Sequence, residues 1–247
     1  MPSFTVFPAI DLRHGKIVRL QEGDPERETH YFSTPGLAAE NWLQAGASWL
    51  HVVNLDGAFG EADSANQQAL LEILEKAAKY HANVQFGGGL HSLPAIDRAF
   101  EMGFSRLVVG TLAIEHPELM TDLINRYGPD RIAASLDVRK GLAQIHGWQS
   151  STSKTVLDAA LDLRRAGLKW LVYTDIVRDG LLNGLNVKAA ASIAQVSGLN
   201  VIASGGVNGW QDIEAARQAG LAGVIVGKAL YEGLLDPRSL FNLMRKP

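Results

Sequence analysis

The chain has 247 residues, of which 47% are hydrophobic and 20% charged, with a net charge of -3 and no cysteine. This balance is usual for globular proteins and argues against disorder and disulfide bonds, while scattered Lys and Arg residues argue against a nucleic-acid partner. The N-terminus has no signal-peptide pattern and no apolar run reaches the roughly 18 residues of a membrane span, so we expect a cytoplasmic protein with no membrane partner.

Eight short apolar runs follow one another along the chain: FTVFPAI, SWLHVVNL, NVQFGG, RLVVG, RIAASLD, KWLVYTD, NVIASGG and GVIVG. Segments with helical spacing separate these runs, for example Pro117 to Tyr127 and Ser64 to Tyr80. The second segment has several apolar residues on or near one face, which are Leu70, Leu71, Ile73, Leu74 and Ala77. Strands that alternate with helices indicate a parallel sheet covered by helices. Because no linker rich in Pro or Gly interrupts the pattern, we predict an α/β fold, a (βα)8 TIM barrel, as a single domain over residues 1–247.

The two halves of the sequence resemble each other. The segment from Asn83 aligns with the segment from Asn200, which pairs Gly88 with Gly205, Gly89 with Gly206, Gly103 with Gly220 and Gly110 with Gly227. PAIDLRHG around Asp11 likewise resembles ASLDVRKG around Asp137. Two similar half-barrels predict a pseudo-twofold axis through the mouth of the barrel.

Asp11 and Asp137 occupy equivalent places at the ends of the first and fifth predicted strands. In a closed eight-stranded barrel they are expected to project from opposite sides of one mouth, where two carboxyl groups in different environments suit acid and base catalysis. The alternative is that each Asp caps a turn. The matched D-[LV]-R-x-G settings favour the catalytic interpretation.

Two glycine clusters predict a pair of phosphate sites. Gly88 and Gly89 follow the third strand, and Gly110 with Thr111 follows the fourth. Gly205, Gly206 and Gly227 repeat the arrangement after strands seven and eight, where barrels commonly hold phosphate. Bare backbone N–H groups would surround an anion, so a bisphosphorylated small molecule is expected. Alternatively, these glycines only permit tight turns.

The loops after strands five and six supply further candidates. YTDIVRDG places Thr174 and Asp175 at a strand end beside Asp137, whereas Asp179 with the following glycine is typical of an ordinary turn. Trp148 lies on a loop that should overhang the site, either to stack on a planar ring or to pack the loop. The histidines show no metal-ligand spacing, so no metal site is predicted.

Eight motifs, taken in this order, resemble the HisA family, the ProFAR isomerases of histidine biosynthesis, over nearly the whole chain. They are PAIDLRHGKIVRL, HVVNLDGAFG, GGGL, SLDVRKG, GW, YTDIVRDG, ASGGV and GVIVGKALYEG. The resemblance implies an Amadori rearrangement without a cofactor, in which Asp137 protonates the sugar ring oxygen and Asp11 removes the C2 proton. It further implies that Thr174 and Asp175 assist the acid step, although in some members the residue that matches Asp175 is itself the proposed acid. Arg19 and Trp148 match residues that hold the substrate. We expect a monomer.

Three positions depart from the family pattern. The family usually has Asp where this chain has Asn54, and Arg where this chain has His91. Bifunctional members, which also isomerise phosphoribosyl anthranilate, have Arg where this chain has His146. Three alternatives to a HisA isomerase remain: the related HisF cyclase, the bifunctional isomerase and a non-catalytic phosphosugar-binding barrel. The cyclase typically has Cys where this chain has Ala9.

Overall fold

Eight parallel strands close into a ring, as the alternating pattern predicts. The computed structural model describes residues 3–31, 34–62 and 64–244. Within them the strands are β1 (Thr5–Arg13), β2 (Lys16–Gln21), β3 (Asp24–His30), β4 (Trp49–Asn54), β5 (Asn83–Gly87), β6 (Arg106–Val109), β7 (Ile132–Arg139), β8 (Leu142–Ile145), β9 (Ser150–Thr155), β10 (Trp170–Asp175), β11 (Asn200–Ser204) and β12 (Gly223–Val226). The ring runs β1, β4, β5, β6, β7, β10, β11, β12 and back to β1. The predicted (βα)8 barrel is confirmed.

Helices connect the barrel strands. They are α1 (Pro35–Ala45), α2 (Leu55–Phe59), α3 (Ser64–Lys79), α4 (Leu93–Met102), α5 (Thr111–Glu115), α6 (Pro117–Tyr127), α7 (Val156–Arg165), α8 (Val187–Ser197), α9 (Trp210–Gln218), α10 (Lys228–Tyr231) and α11 (Pro237–Met244), with a 3-10 helix at Ile176–Arg178. No helix among the described residues is both long and apolar enough to cross a bilayer. A single domain over 1–247 stays a prediction, since residues 1–2, 32–33, 63 and 245–247 lie outside the described part.

Both helices expected from the residue spacing, α3 and α6, are present, but one side chain of α3 points in a direction that was not expected. Leu70, Ile73 and Ala77 on α3 are buried, whereas Leu71 is 52% exposed. At about 100° per residue, Leu71 turns away from the face that Leu70 and Ile73 share, so its placement on or near that face was wrong. The leucines that do face the sheet join the main apolar layer between strands and helices.

The inner face of the barrel holds a second, smaller core. It packs the inward side chains of several strands, which are Phe7, Ala9, Val108, Ala133, Val172, Ile202 and Ile225. Because side chains alternate along a strand, the residues between them, such as Ile10 and Leu12, point outward into the layer beneath the helices. This alternation decides which polar side chains reach the mouth.

The two halves match in backbone conformation as well as in sequence. Gly88 and Gly205 have φ angles of 90° and 92°, and Gly89 and Gly206 have 76° and 88°. All four lie in the left-handed region, which glycine adopts without strain. The equivalence inferred from the alignment is therefore present in three dimensions.

Each half also contains an antiparallel hairpin that we did not predict. β2 and β3 follow β1, and β8 and β9 follow β7 at the equivalent place. The first turn of each uses two residues with positive φ, His14 and Gly15 in one half and Lys140 and Gly141 in the other. A residue followed by glycine at such a turn is the pattern of a two-residue hairpin, so the signal was available in the repeated R-x-G sequence.

Candidate active site

Asp11 and Asp137 lie on the inner face of the barrel and open onto one cavity. Three strands separate β1 from β7 in each direction around the ring, β4, β5 and β6 on one side and β10, β11 and β12 on the other. The two carboxyl groups therefore enter the mouth from opposite walls, as the repeat predicted.

Arg19, on β2, forms an ion pair with Asp11 and also donates to the backbone oxygen of Ala9. Its guanidinium lies 5.4 Å from the ring centre of Tyr231, whose hydroxyl donates to the same Ala9 oxygen at 3.1 Å. Burial raises the pKa of Asp11, and Arg19 partly offsets this effect. Arg19 lines the cavity as expected, but its immediate partner is the carboxylate of Asp11.

Asp137 has neutral donors around it. Thr174 is its register partner on β10, and the side chains of Trp148, Thr174 and Ser135 all hydrogen-bond to the carboxyl group. Burial raises the pKa of Asp137, and these three hydrogen bonds lower it in part. Asp11 and Asp137 thus occupy different environments, one beside a cation and the other beside hydroxyl and indole donors.

Asp175, which we expected to assist at the mouth, points away from it. Thr174 lines the cavity, and the next residue along β10 faces the opposite side of the sheet. The Asp175 carboxylate accepts a hydrogen bond from the amide of Asn186 at 2.7 Å and lies 3.6 Å from Nε of Arg178. The expectation that Asp175 lines the mouth beside Asp137 was therefore wrong, because strand alternation allows only one of the pair to face inward. Its assistance in the acid step stays a prediction.

Asp179 is the carboxyl group that sequence reasoning missed. It lines the cavity in the loop after β10, and its backbone oxygen accepts from the Glu22 amide at 3.0 Å. Burial, then the charge of Asp11, raises its pKa to about 7; Arg19 opposes this rise and Asp137 adds to it. Its position in a loop at the carboxyl ends of the strands was the available signal, but an Asp-Gly pair is too common in turns to stand out.

Trp148 covers the mouth from the turn between β8 and β9. Its indole lines the cavity and packs directly on Gly23 in the turn between β2 and β3. The backbone of Trp148 has a φ of 69°, as part of a left-handed run with His146 at 55° and Gly147 at 61°. The expected position over the site is confirmed, and the hairpins of the two halves meet above the carboxyl groups.

The glycine cluster of the first half lies on one side of this cavity. Gly88, Gly89, Gly110 and Thr111 all line it. The Thr111 hydroxyl accepts from the backbone N–H of His146 at 2.9 Å, so it also anchors the turn that carries Trp148. A Cβ at Gly88 would overlap the backbone oxygen of Asn54, which shows that this glycine also serves close packing.

The glycine cluster of the second half lines an adjoining cavity. Gly205, Gly206 and Gly227 face it, and Arg19 and Asp179 line both cavities. Lys228, at the position that the repeat pairs with Thr111, is a further residue that we missed, and its Nζ donates to the Gly180 backbone oxygen at 3.0 Å. The two clusters therefore flank the carboxyl groups from opposite sides.

Comparison with known proteins agrees with this geometry. A family model described as "Histidine biosynthesis protein" matches residues 5–236. Proteins named 1-(5-phosphoribosyl)-5-((5-phosphoribosylamino)methylideneamino) imidazole-4-carboxamide isomerase are 39% identical in Syntrophomonas wolfei (92% of this chain, 93% of the relative), 41% in Rhodopseudomonas palustris (98% of each) and 43% in Sphingopyxis alaskensis (96% of each). The chain belongs to this isomerase family of histidine biosynthesis. The HisA resemblance is thereby confirmed, and the chain is an isomerase.

Asn54, at a position where the resemblance leads us to expect Asp, has a local hydrogen-bonding role. It is 3% exposed, and its side-chain oxygen accepts from the Gly57 amide at 3.2 Å and from the Asn66 side chain at 2.7 Å. The repeat pairs it with Asp175, which accepts from Asn186 in the same way. An amide oxygen can fill this acceptor role as well as a carboxylate does.

The two histidines at unusual positions differ in placement. His91 lines the cavity, and its Nε2 lies 2.9 Å from the Gly57 backbone oxygen, so this ring nitrogen is engaged with the backbone. His146 also lines the cavity, with its Nε2 3.2 Å from the carboxylate of Glu115. The Nε2 atoms of both histidines therefore already have partners within the protein, so neither side chain takes the place of an arginine that is available to a substrate.

His14, Asp56 and Glu61 come together outside the cavity and could in principle hold a metal ion. Asp56 already accepts hydrogen bonds from the His14 amide at 3.0 Å and the Asn66 side chain at 2.9 Å, and Arg13 donates to Glu61 at 3.3 Å. A neighbouring guanidinium disfavours a cation at this position. The absence of a metal stays a prediction.

Proposed function

We propose that this isomerase converts the bisphosphorylated aminoaldose ProFAR into the aminoketose PRFAR by an Amadori rearrangement, with Asp11 and Asp137 as base and acid. One observation carries the proposal: carboxyl groups from both half-barrels face a shared cavity that has a glycine cluster on either side. A ligand with a phosphate at each end would place its central atoms beside the carboxyl groups. The names of the curated relatives describe a substrate with two phosphoribosyl groups.

Asp11 suits the role of base. Arg19 in contact with its carboxylate favours the charged form, whereas burial moves its pKa upward from the ordinary value. A raised pKa makes Asp11 a stronger base than an ordinary aspartate, and the ion pair with Arg19 favours the charged carboxylate that a base requires. In the proposed reaction Asp11 removes the proton from C2 of the opened sugar.

Asp137 suits the role of acid. It protonates the ring oxygen, the bond from that oxygen to C1 breaks, and the substrate nitrogen forms a Schiff base with C1. Removal of the C2 proton then gives an enolamine, which gains a proton at C1 and loses one from the C2 hydroxyl to become the ketose. The substrate nitrogen accepts the electrons, so no cofactor is required, and protein groups only position the substrate and move protons.

Asp179 would keep a proton available for the acid step. Three carboxyl groups lie close enough for the charges of Asp11 and Asp137 to raise the pKa of Asp179 to about 7, although burial is the larger cause. Carboxyl groups that share a site cannot all become charged easily, because their negative charges repel one another. Their protonation equilibria are therefore coupled. We therefore propose that Asp137 and Asp179, whose pKa values are both raised, share the proton that the acid step uses.

A spectrophotometric assay tests the proposal. Purified protein is supplied with ProFAR and, in parallel, with phosphoribosyl anthranilate. We expect turnover of ProFAR and little turnover of phosphoribosyl anthranilate, because His146 stands where bifunctional members have Arg. Binding of ProFAR without turnover would instead support a non-catalytic phosphosugar-binding barrel.

A further inference from the structure

Three polar side chains lie side by side below the carboxyl groups. His51 on β4 pairs in register with Ala9 on one side and with Gln85 of β5 on the other, and Gln85 pairs with Arg106 of β6. His51 lines the cavity at 8% exposure, while Gln85 and Arg106 are 0% and 4% exposed. Buried polar side chains of this kind must find hydrogen-bond partners within the protein.

Arg106 is fixed from several directions. Its guanidinium carbon lies 4.6 Å from the ring centre of Trp49 and 3.9 Å from that of Trp170. Its Nε donates to the backbone oxygen of Asp130 at 3.0 Å, and its Nη1 donates to the side-chain oxygen of Gln85 at 3.4 Å. The guanidinium therefore presents a donor to Gln85 in a set orientation.

This donor decides which way the Gln85 amide faces. A guanidinium has no acceptor atom, so the amide oxygen must lie toward Arg106 and the NH2 group toward His51. The Gln85 nitrogen is 2.9 Å from Nδ1 of His51, and Nδ1 must then accept. A neutral imidazole with an unprotonated Nδ1 carries its proton on Nε2.

His51 is neutral as well as oriented. Burial, with a smaller contribution from the charge of Arg19, lowers its pKa to about 3. The ring therefore gains no proton in the range where the enzyme would work, and it is unsuited to acid or base catalysis. Its remaining function in the cavity is that of a hydrogen-bond donor.

We propose that Gln85 and Arg106 are positioning residues that lock His51 in the Nε2-protonated tautomer, so that the cavity floor presents one fixed, neutral N–H donor to an oxygen acceptor of the substrate. The use of the donor in turnover rests on the proposed function, whereas the tautomer lock does not. A fixed donor costs no reorganisation when the substrate arrives, which is the usual advantage of a preorganised site.

The variant Gln85→Glu tests the lock, because a carboxylate has only acceptor oxygens. One oxygen can pair with Arg106 and the other then requires a proton on Nδ1 of His51. Nitrogen-15 NMR of the protein with labelled histidine at pH 8 should show that His51 of the wild type is protonated on Nε2 and not on Nδ1. In the Gln85→Glu variant, His51 should be protonated on Nδ1. A wild-type ring protonated on Nδ1, or a mixture of tautomers, would overturn the lock.

Steady-state kinetics with ProFAR test the use of the donor. Gln85→Glu should lower kcat/KM by about tenfold to a hundredfold, the usual effect of leaving a buried polar contact unmade. Gln195→Glu adds the same charge on an exposed part of α8 and should leave kcat/KM unchanged. A switched tautomer with unchanged kcat/KM would show that the substrate does not use this donor.

A second variant covers failure of Gln85→Glu to fold. Gln85→Met keeps similar volume and removes the amide, so both neutral tautomers of His51 should appear in the NMR spectrum and kcat/KM should fall. A single Nε2-protonated form in Gln85→Met would overturn the positioning role of Gln85. If the wild type fails to turn over ProFAR, the proposed function fails, and the NMR result still decides the lock.

Discussion

Trp148 rests on Gly23 so closely that a Cβ at Gly23 would overlap the indole ring. The contact joins the hairpin of one half-barrel to the hairpin of the other, directly above the cavity. The indole also hydrogen-bonds to Asp137. Gly23 therefore determines where Trp148 can lie, and through it part of the environment of Asp137.

We expect Gly23→Ala to displace Trp148 and lower kcat/KM for ProFAR by about tenfold to a hundredfold, since small displacements of positioning groups have effects of this size. Gly220→Ala is the matched control, because both glycines have a φ of 74° and a Cβ at Gly220 would meet nothing within 4 Å. Both variants should lose about 1–2 kcal/mol of stability from backbone strain. Equal kinetic effects in the two variants would exclude a specific role for the contact.

Asp179→Asn should change how activity depends on pH. Without this carboxyl group the remaining pair holds its proton less tightly, so the loss of kcat/KM with rising pH should begin at lower pH than in the wild type. Asp175→Asn should leave the profile unchanged, because the Asp175 side chain faces away from the cavity and an amide oxygen can still accept from Asn186. Identical pH profiles for wild type and Asp179→Asn would contradict the shared proton.

Asp179 should also affect how stability depends on pH. An unfolded Asp titrates near pH 3.9, whereas Asp179 in the fold has a pKa of about 7. The folded state binds this proton more tightly, so the group's stabilising contribution is complete below about pH 4 and is lost as the pH rises through 7. We expect the free energy of unfolding of Asp179→Asn, relative to the wild type, to rise between pH 4 and 8.

Denaturant unfolding at several pH values measures this effect, and Asp130→Asn supplies a control of opposite sign. Hydrogen bonds from Trp170 and Lys169 lower the pKa of Asp130, so its contribution is present at neutral pH and lost in acid. Asp130→Asn should therefore lose relative stability as the pH rises from 3 to 6. The same trend in both variants would contradict the raised pKa of Asp179.

Gly227 and Gly110 occupy equivalent places but should respond differently to mutation. A Cβ at Gly227 would lie 2.6 Å from the guanidinium carbon of Arg19, whereas a Cβ at Gly110 would approach only the Ser135 hydroxyl at 3.1 Å. Gly227→Ala should therefore displace Arg19 from Asp11 and lower kcat, while Gly110→Ala should mainly raise KM. Kinetics on both variants check this difference, and equal losses of kcat would contradict it.

The fold and the paired site residues could be predicted because they repeat. Asp11 and Asp137 each sit in the same short motif, and the paired glycines have matching φ angles. Trp148 was also placed over the mouth, since a loop after a barrel strand can overhang only that end. These inferences needed the repeat and the alternation of strands and helices, both of which are visible in the sequence.

The remainder depended on which way individual side chains point. Thr174 and Asp175 are adjacent, and only the register of β10 decides that Thr174 faces inward. Asp179 lies in a turn, and Lys228 is the first residue of the short helix α10; the sequence does not determine the backbone path that brings either residue to the cavities. The orientation of His51 depends on Gln85 and Arg106, which lie 34 and 55 residues further along the chain and become neighbours only across strand pairs.

Asp11→Asn offers the most direct test of the two-aspartate reaction. Affinity for ProFAR is measured by calorimetry, and turnover is measured on the same preparation. We predict that affinity stays within a few fold of the wild type while kcat falls by about a hundredfold to ten-thousandfold, the typical contribution of a positioned acid or base. Turnover at the wild-type rate would contradict the assignment of Asp11 as the base and, with it, the proposed mechanism.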